Sequence, residues 1–295
     1  MSQTSTAPAN PELGSSMPTG DFVTNYHDVG TGEPVLLLHG SGAGVSAWAN
    51  WRGLIPVLAD RFRIIAPDLV GFGYTSLPDD PSFQIFDTWI DQITALLEGL
   101  GITRVHIVGN SFGGGLALHL ATRFPDLVGR IALMGSGGAA MAFTDELDAL
   151  WGYTPSVENM KTIMDIMAYD RSLVTDELAE LRYRATIRPG AQEAFEKVFP
   201  PPRQRWLDAQ IVDDELLAAM TNEVLILHGR EDAVVPLASS MHLFETIPNA
   251  QLHVFGKCGH WTQIEHATRF QQLVGQFLDE AIDHADGRAS SGKMS

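Results

Sequence analysis

The fold is decided by the stretch Val105-His106-Ile107-Val108-Gly109-Asn110-Ser111-Phe112-Gly113-Gly114-Gly115. A short apolar run leads into a Gly-x-Ser-x-Gly motif, and a run of small residues typical of a helix start follows. A turn sharp enough to present one side chain above a sheet requires unusual backbone angles and leaves no room for neighbouring β-carbons, hence the glycines. A helix beginning at Phe112 would favour negative charge beside Ser111. The motif predicts a nucleophilic serine; the alternative is a glycine-rich crossover that happens to contain a serine.

The composition is that of a soluble globular enzyme of one or two domains, with 295 residues, 45% hydrophobic and 19% charged. No apolar run reaches the roughly 18–20 residues that a membrane span needs. Residues 1–20 lack the basic start and hydrophobic segment of a signal peptide, so we expect a disordered leader there and a disordered tail at 286–295. The single cysteine, Cys258, excludes an intrachain disulfide and suits a cytoplasmic location.

The formal net charge of −17 argues against nucleic acid or an anionic membrane as a partner. An anionic substrate would be weakly repelled, although salt screens that repulsion beyond roughly 8 Å. Any substrate carboxylate must therefore be captured by local cations, which draws attention to arginines near the predicted site.

Short apolar runs alternate with longer helical stretches, the pattern of the α/β class with a mostly parallel sheet buried on both faces. The helical stretches include Asp87–Leu100 and Leu116–Phe124. The predicted strands are Val35–Leu38, Arg63–Ala66, Val105–Val108, Arg130–Leu133, Val224–Leu227 and Leu252–Val254.

One interval, residues 138–208, contains only helical segments broken by prolines. An ordinary crossover rarely needs about seventy residues, so the interval predicts a helical cap inserted between two strands, over the C-terminal edge of the sheet. Ordinary crossover helices are the alternative. The remaining core would comprise residues 21–137 and 209–285.

A nucleophilic serine requires a base, and the base requires an orienting acid. Asp232 follows the strand Val224–Leu227, and His260 follows the strand Leu252–Val254, so both lie at the sheet edge that presents Ser111. The chain order Ser, Asp, His is that of the α/β-hydrolase fold. Glu231, next to Asp232, is the alternative acid. No acid follows the strand that ends at Leu133, which removes the commonest alternative site for the acid.

The loop His39-Gly40-Ser41-Gly42 can aim a donor at Ser111 from the end of the strand Val35–Leu38. With the amide of Phe112, Ser41 would complete an oxyanion hole, whereas His39 would hold the loop in place. Nothing marks Cys258 as an activated nucleophile, so we interpret it as a packing residue. No Cys or His ligand spacing is visible, and we expect neither a metal nor an organic cofactor.

Six segments between Asn25 and Glu280 resemble the meta-cleavage product hydrolases, above all the branch that acts on 2-hydroxymuconate semialdehyde and its 6-alkyl relatives. Two of them, in the helical interval, are the most specific to this family. The segments are LLLHGSGAGVSAWANW, IAPDLVGFGYTS, HIVGNSFGGGLAL, LWGYTPSVENM, YDRSLVTDEL and HVFGKCGHWTQIE.

The resemblance implies hydrolysis of the C5–C6 bond of a 2-hydroxy-6-oxo-hexa-2,4-dienoate, which yields 2-hydroxypenta-2,4-dienoate and a small carboxylic acid. It also implies a homo-oligomer, and a covalent acyl-enzyme or a gem-diol route. The family residues that bind the polar end of the small anionic dienoate match Asn50, Asn110, Arg182 and Trp261 here. Arg184 and Arg188 are alternative cations, Asn50 could instead cap a helix, and Trp151 and Val234 are candidates for the wall around the C6 substituent.

Two other functions remain open. A carboxylesterase of the same fold would use the same three catalytic residues. A ligand receptor on the hydrolase scaffold would bind tightly without turnover. Dehalogenases and epoxide hydrolases are disfavoured because an aspartate would stand at the position of Ser111.

Overall fold

A central sheet of eight strands organises the computed structural model, which describes residues 10–75 and 85–279. The spatial order is β1-β2-β4-β3-β5-β6-β7-β8; β2 runs antiparallel to β1 and β4, and the other neighbours are parallel. The predicted α/β class with a mostly parallel sheet is thus confirmed. The strands are β1 Ser15–Thr19, β2 Phe22–Val29, β3 Glu33–Leu38, β4 Phe62–Pro67, β5 Val105–Asn110, β6 Val128–Met134, β7 Val224–Gly229 and β8 Ala250–Phe255.

All six predicted strands are present, but the disordered leader predicted over residues 1–20 is wrong for part of its length. Ser15–Thr19 is strand β1, paired in antiparallel register with β2. This edge hairpin is held by backbone pairing and by a 2.6 Å bond between the hydroxyls of Thr19 and Thr24. The hairpin contains many polar residues, so it lacks the continuous apolar run from which the inner strands are predicted. Residues 1–9 and the predicted tail at 286–295 lie outside the described residues.

Helices cover both faces of the sheet, which is why its inner strands are apolar throughout. One core packs α3, α4 and α11 against alternate strand residues such as Leu36 and Leu38. The other packs α1, α2 and α13 against Val35 and Leu37. These helices are α1 Ala47–Trp51, α2 Ile55–Leu58, α3 Ile85–Gly99, α4 Phe112–Arg123, α11 Leu237–Thr246 and α13 Ala267–Asp279, with the short α12 Thr262–Glu265 before the last.

The chain between β6 and β7 is helical, as predicted. Three of its helices are preceded by an N-cap residue, namely Thr144, Ser156 and Thr175. The hydroxyl of each N-cap accepts the backbone amide three residues ahead and so fixes the start of the helix. The bounds of the predicted cap, residues 138 and 208, stay a prediction. The helices between β6 and β7 are α5 Asp145–Trp151, α6 Val157–Met167, α7 Asp176–Thr186, α8 Ala191–Val198, α9 Gln204–Asp208 and α10 Asp214–Ala218. None of the helices in the described part of the chain is long and apolar enough to cross a membrane.

Candidate active site

Ser111 stands on a strained turn between β5 and α4, with φ 54° and ψ −119°. Such angles are costly for a residue with a β-carbon and persist only when the surroundings hold them. The Ser111 amide donates to the carbonyl of Met134 at 2.9 Å. A β-carbon at Gly113 would lie 2.5 Å from the carbonyl oxygens of two β3-end residues, so only glycine fits there. The Ser111 carbonyl accepts hydrogen bonds of 2.9, 3.3 and 3.0 Å from the amides of Gly114, Gly115 and Gly137.

Asp232 and His260 form a close pair at the same sheet edge. Nδ1 of His260 lies 2.7 Å from Oδ2 of Asp232, and both side chains are almost fully buried. The other carboxylate oxygen accepts from the amides of Val234 and Val235 at 2.8 and 2.9 Å. Burial alone would raise the pKa of Asp232, but His260, His228 and the Val235 amide together bring that pKa below its ordinary value. Asp232 is therefore an anion that orients the ring of His260.

His228, which the sequence pattern does not predict as a site residue, also lies close to the Asp232 carboxylate. Its Nε2 lies 3.0 Å from the Val235 carbonyl and 3.6 Å from Oδ2 of Asp232. Its Nδ1 lies 2.7 Å from the hydroxyl of Ser240. Burial lowers the pKa of His228 despite the nearby Asp232, so the ring is neutral, with the proton on Nε2. Its position at the end of β7, four residues before the acid, is the signal that could have found it.

The alternative acid, Glu231, and the alternative nucleophile, Cys258, are both in environments that do not suit these roles. The carboxylate of Glu231 accepts the Cys258 amide at 3.0 Å and does not contact the His260 ring. The thiol of Cys258 is fully buried, and that burial raises its pKa to about 12, which disfavours a thiolate nucleophile. After β6, a β-carbon at Gly135 would lie 3.0 Å from the His260 ring and 3.1 Å from Asp232, so no acid fits there.

The His260 loop is bonded directly to the helical segment between β6 and β7. The carbonyl of Met167, at the end of α6, accepts the amides of His260 at 2.8 Å and Trp261 at 3.2 Å. The Glu265 carboxylate joins the same two parts of the chain, because one oxygen accepts the Asp170 amide at 2.8 Å and the other the Gly259 amide at 2.6 Å. The position of the His260 ring therefore depends on that of the helical segment.

The loop after β3 lies against Ser111 with its histidine and serine in different roles. His39 accepts the Leu69 amide at Nε2 (3.0 Å) and donates from Nδ1 to the Gly40 carbonyl (2.7 Å). Burial lowers the pKa of His39 to about 4, so it is a neutral structural residue. The Ser41 hydroxyl accepts the indole N–H of Trp151 at 3.0 Å, which leaves its own proton free to donate.

Two cavities meet at Ser111, and the first, here called the polar cavity, contains the predicted polar-end residues. Its polar side chains are Ser41, Asn50, Asn110, Ser111, Arg182, His260, Trp261 and Gln263. In the described part of the chain, the Ser111 hydroxyl and Nε2 of His260 make no hydrogen bond, so both are free to engage a substrate or each other.

Arg182, rather than its neighbours, is the cation of the polar cavity. Its guanidinium lies 4.7 Å from the centre of the Trp261 ring and makes no ion pair with the described residues. Burial, with the charge of Arg52, lowers the pKa of Arg182 to about 10, so it stays protonated near neutral pH. By contrast, Arg184 pairs with an exposed glutamate at 2.8 Å, and Arg188 donates to a core-loop carbonyl at 2.9 Å.

Three side-chain amides line the polar cavity, those of Asn50, Asn110 and Gln263. Asn50 lies within α1, whose N-cap is Ser46, so Asn50 is not the cap; its Nδ2 is buried and unpartnered among the described residues. Asn110 donates to the Met134 carbonyl at 3.2 Å. Gln263, which the sequence pattern does not predict, presents another buried unpartnered oxygen. Its place two residues after Trp261 is the only signal for it in the sequence.

The second cavity, here called the small cavity, is the smaller of the two. It lies on another side of Ser111 and shares Ser41, Leu147 and Val234 with the polar cavity. Trp151 forms part of its wall and stacks on Phe199, with ring centroids 4.3 Å apart and planes 5° from parallel. Trp151 and Val234, predicted beside the C6 substituent, thus both line it.

Comparisons with known proteins agree with this architecture. A family model described as alpha/beta hydrolase fold matches residues 33–267. The chain is 52% identical over 276 residues to a 2-hydroxymuconate semialdehyde hydrolase of Pseudomonas sp. strain CF600, covering 93% of this chain and 97% of that protein. It is 53% identical over 269 residues to a 2-hydroxy-6-oxo-2,4-heptadienoate hydrolase of Pseudomonas putida strain F1, covering 91% and 97%.

A solved structure of the meta-cleavage product hydrolase CumD from Pseudomonas fluorescens IP01 has a TM-score of 0.89 and 56% identity, covering 91% of this chain and 98% of that one. These similarities extend over both the sheet and the helical segment between β6 and β7. The chain therefore belongs to the alpha/beta hydrolase fold family and, within it, to the meta-cleavage product hydrolases.

Proposed function

We propose that this chain hydrolyses the C5–C6 carbon–carbon bond of 2-hydroxy-6-oxo-hexa-2,4-dienoates, such as 2-hydroxymuconate semialdehyde and its 6-alkyl analogues, in the breakdown of aromatic compounds. The observation that carries the proposal is the charge arrangement of the polar cavity. Ser111 and His260 line it together with Arg182, a partly buried cation that makes no ion pair with the described residues. A nucleophile and an unpaired cation in one cavity suit a substrate with a reactive carbonyl and a carboxylate.

The dienol form of such a substrate is not ready for cleavage, because its leaving group would be a vinyl carbanion. Transfer of a proton from the C2 hydroxyl to C5 gives the 2,6-diketone, whose C2 carbonyl can accept electrons as the C5–C6 bond breaks. Arg182, with Asn50, Asn110 and Trp261, holds the carboxylate and the C2 oxygen during this step. His260 assists the proton transfer.

Cleavage follows by nucleophilic catalysis. His260 takes the hydroxyl proton of Ser111, which attacks C6, while Asp232 stabilises the imidazolium. The oxyanion is bound by Ser41 and the Phe112 amide. The C5–C6 bond then breaks, its electrons pass through the C3–C4 double bond to the C2 oxygen, and that oxygen takes the proton from His260. Water hydrolyses the acyl-enzyme through the same base, giving 2-hydroxypenta-2,4-dienoate, a small carboxylic acid and free Ser111. A rapid-quench burst of the dienoate product would separate this covalent route from a gem-diol route.

The small cavity is the natural place for the substituent on C6. Its walls include Trp151 and Val234, and it opens on Ser111 away from Arg182. With the carboxylate held in the polar cavity, the C6 substituent points into this space. We further propose that residues 138–208 act as a cap over the site, and that the protein is a cytoplasmic homo-oligomer.

The test is Ser111→Ala, matched with Cys258→Ala at the alternative nucleophile considered above. Dienol absorbance is followed for dienoates bearing hydrogen, methyl, isopropyl and phenyl at C6, beside a neutral aryl ester. We expect Ser111→Ala to abolish turnover and Cys258→Ala to retain it. Unchanged turnover in Ser111→Ala would overturn the mechanism. Preference for the ester would indicate a carboxylesterase, and tight binding of a dienoate without turnover a receptor.

A further inference from the structure

Gln210 is a buried amide at the wall of the small cavity, outside the residues used by the mechanism above. It follows α9 and is 2% exposed. The cavity that it shares with Ser111 is otherwise lined mostly by apolar side chains, and the other hydrogen-bonding side chains of its wall are those of Ser41, Ser111 and Trp151. The apolar members are Phe112, Met141, Leu147, Trp151, Leu207, Val234 and Val235.

The amide oxygen of Gln210 is unsatisfied, because Oε1 is buried and has no hydrogen-bond partner among the described residues. A buried acceptor without a partner is costly, so a water molecule or a ligand group that supplies the missing bond is favoured there. Buried glutamine is also far rarer than buried leucine or methionine, which would fill the same space at no such cost.

The backbone around Gln210 leaves room for the amide. A β-carbon at Gly137 would lie 1.7 Å from its Oε1, and one at Gly115 would lie 3.2 Å away. Neither glycine has a positive φ, so space rather than backbone conformation excludes a larger residue at position 137. Both glycines donate their amides to the Ser111 carbonyl, so the backbone that borders the Gln210 amide is bonded to the backbone of Ser111.

We propose that Gln210 is a specificity-determining residue that selects a small, hydrogen-bonding group on C6 over an alkyl group of the same size. This proposal rests on the proposed function, which places the C6 substituent in the small cavity. A hydroxymethyl group there pairs with the amide, whereas an ethyl group fills the same volume and leaves the amide unpaired. Beside 2-hydroxymuconate semialdehyde and its 6-alkyl analogues, the site would thus take dienoates with a compact polar acyl end, of which a hydroxymethyl ketone is the simplest member.

The matched pair of substrates tests this directly, because hydroxymethyl and ethyl have the same number of heavy atoms. For the wild-type protein we expect kcat/KM to favour the hydroxymethyl dienoate by about tenfold, the worth of one neutral hydrogen bond in a buried site. A wild-type ratio of one or below overturns the proposal without any variant.

Gln210→Met and Gln210→Leu are expected to remove the preference by raising kcat/KM for ethyl and lowering it for hydroxymethyl. Gln263→Met is the matched control, since it replaces a buried glutamine of the polar cavity. It should change both substrates by the same factor. A preference that survives in both Gln210 variants refutes the role of the amide.

Failure of this inference is distinguishable from failure of the proposed function. If the dienoates with hydrogen or methyl on C6 are cleaved and only the hydroxymethyl preference is missing, the inference alone fails. If no dienoate is cleaved, the proposed function fails, and aryl esters of glycolate and propionate still test the small cavity. Equal rates on the two esters would then overturn the inference as well.

Discussion

Replacing Arg182 by glutamine tests the central electrostatic claim, that one cation captures an anionic substrate for a chain of net charge −17. Glutamine keeps a flat polar end group but removes the charge. The guanidinium lies over Trp261 in the polar cavity and forms no ion pair with other described residues, so the substitution leaves no internal carboxylate unpaired. We therefore expect the effect on folding to be small and the effect on the dienoate to be large.

The magnitude follows from Coulomb's law. Two unit charges about 4 Å apart attract by about 4 kcal/mol at an effective dielectric of about 20. Arg182 is only partly buried, and glutamine retains a hydrogen-bond donor, so we discount the loss to about 2–3 kcal/mol. That corresponds to a fall of roughly 30- to 150-fold in kcat/KM for the dienoate.

The assay follows dienol absorbance in stopped flow, with a neutral aryl ester as the second substrate and Arg184→Gln as the matched control. Arg184 lies one position beyond Tyr183 on the same helix and pairs with Glu180 on the surface. We expect Arg182→Gln to lose activity on the dienoate far more than on the ester, and Arg184→Gln to change neither. Equal losses on the two substrates, or an equal effect of Arg184→Gln, would refute the reasoning.

Three further outcomes are expected. Trp151→Phe removes the 3.0 Å bond to the Ser41 hydroxyl but keeps an aromatic ring, and kcat should fall by about three- to tenfold with little change in thermal stability. Glu265→Gln replaces a carboxylate oxygen by a donor, so the Gly259 amide should exchange its hydrogen faster and kcat should fall; unaltered exchange would contradict this contact. His39 has its pKa lowered from 6.5 to about 4, so its contribution to stability is present above pH 6.5 and is lost as the pH falls toward 4. The difference in unfolding free energy between wild type and His39→Gln should therefore shrink by about 3 kcal/mol over that range, as measured by denaturant titration.

The parts of the fold that follow from burial could be predicted from the sequence. The inner strands are covered on both faces, so their apolar runs are continuous and each predicted strand is present. The hairpin of Ser15–Thr19 and Phe22–Val29 could not be predicted in this way, because backbone pairing at a sheet edge requires no apolar pattern. Strand ends also differ by one or two residues, since pairing continues past the last apolar side chain.

In the candidate site, too, some features could be predicted from the sequence and others could not. Strand order and loop position place Ser111, Asp232 and His260 at one edge, since carboxyl ends of parallel strands meet there. Contacts between distant segments carry no such signal. The partnership of His228 with Asp232 depends on side-chain direction after β7, and the choice of Arg182 over its neighbours depends on which face of α7 meets the core.

Binding of an anion by so acidic a chain is possible because the negative charge nearest the nucleophile is already engaged. Asp232 accepts hydrogen bonds from His260 and from two backbone amides, which offset its charge. Exposed carboxylates farther from the site are screened by salt over roughly 8 Å. Within the polar cavity the field is therefore dominated by Arg182, with the amides of Asn50 and Asn110 as neutral dipoles. We therefore expect Arg182, a cation without an ion-pair partner among the described residues, to hold an anionic end group there, whatever the sign of the total charge.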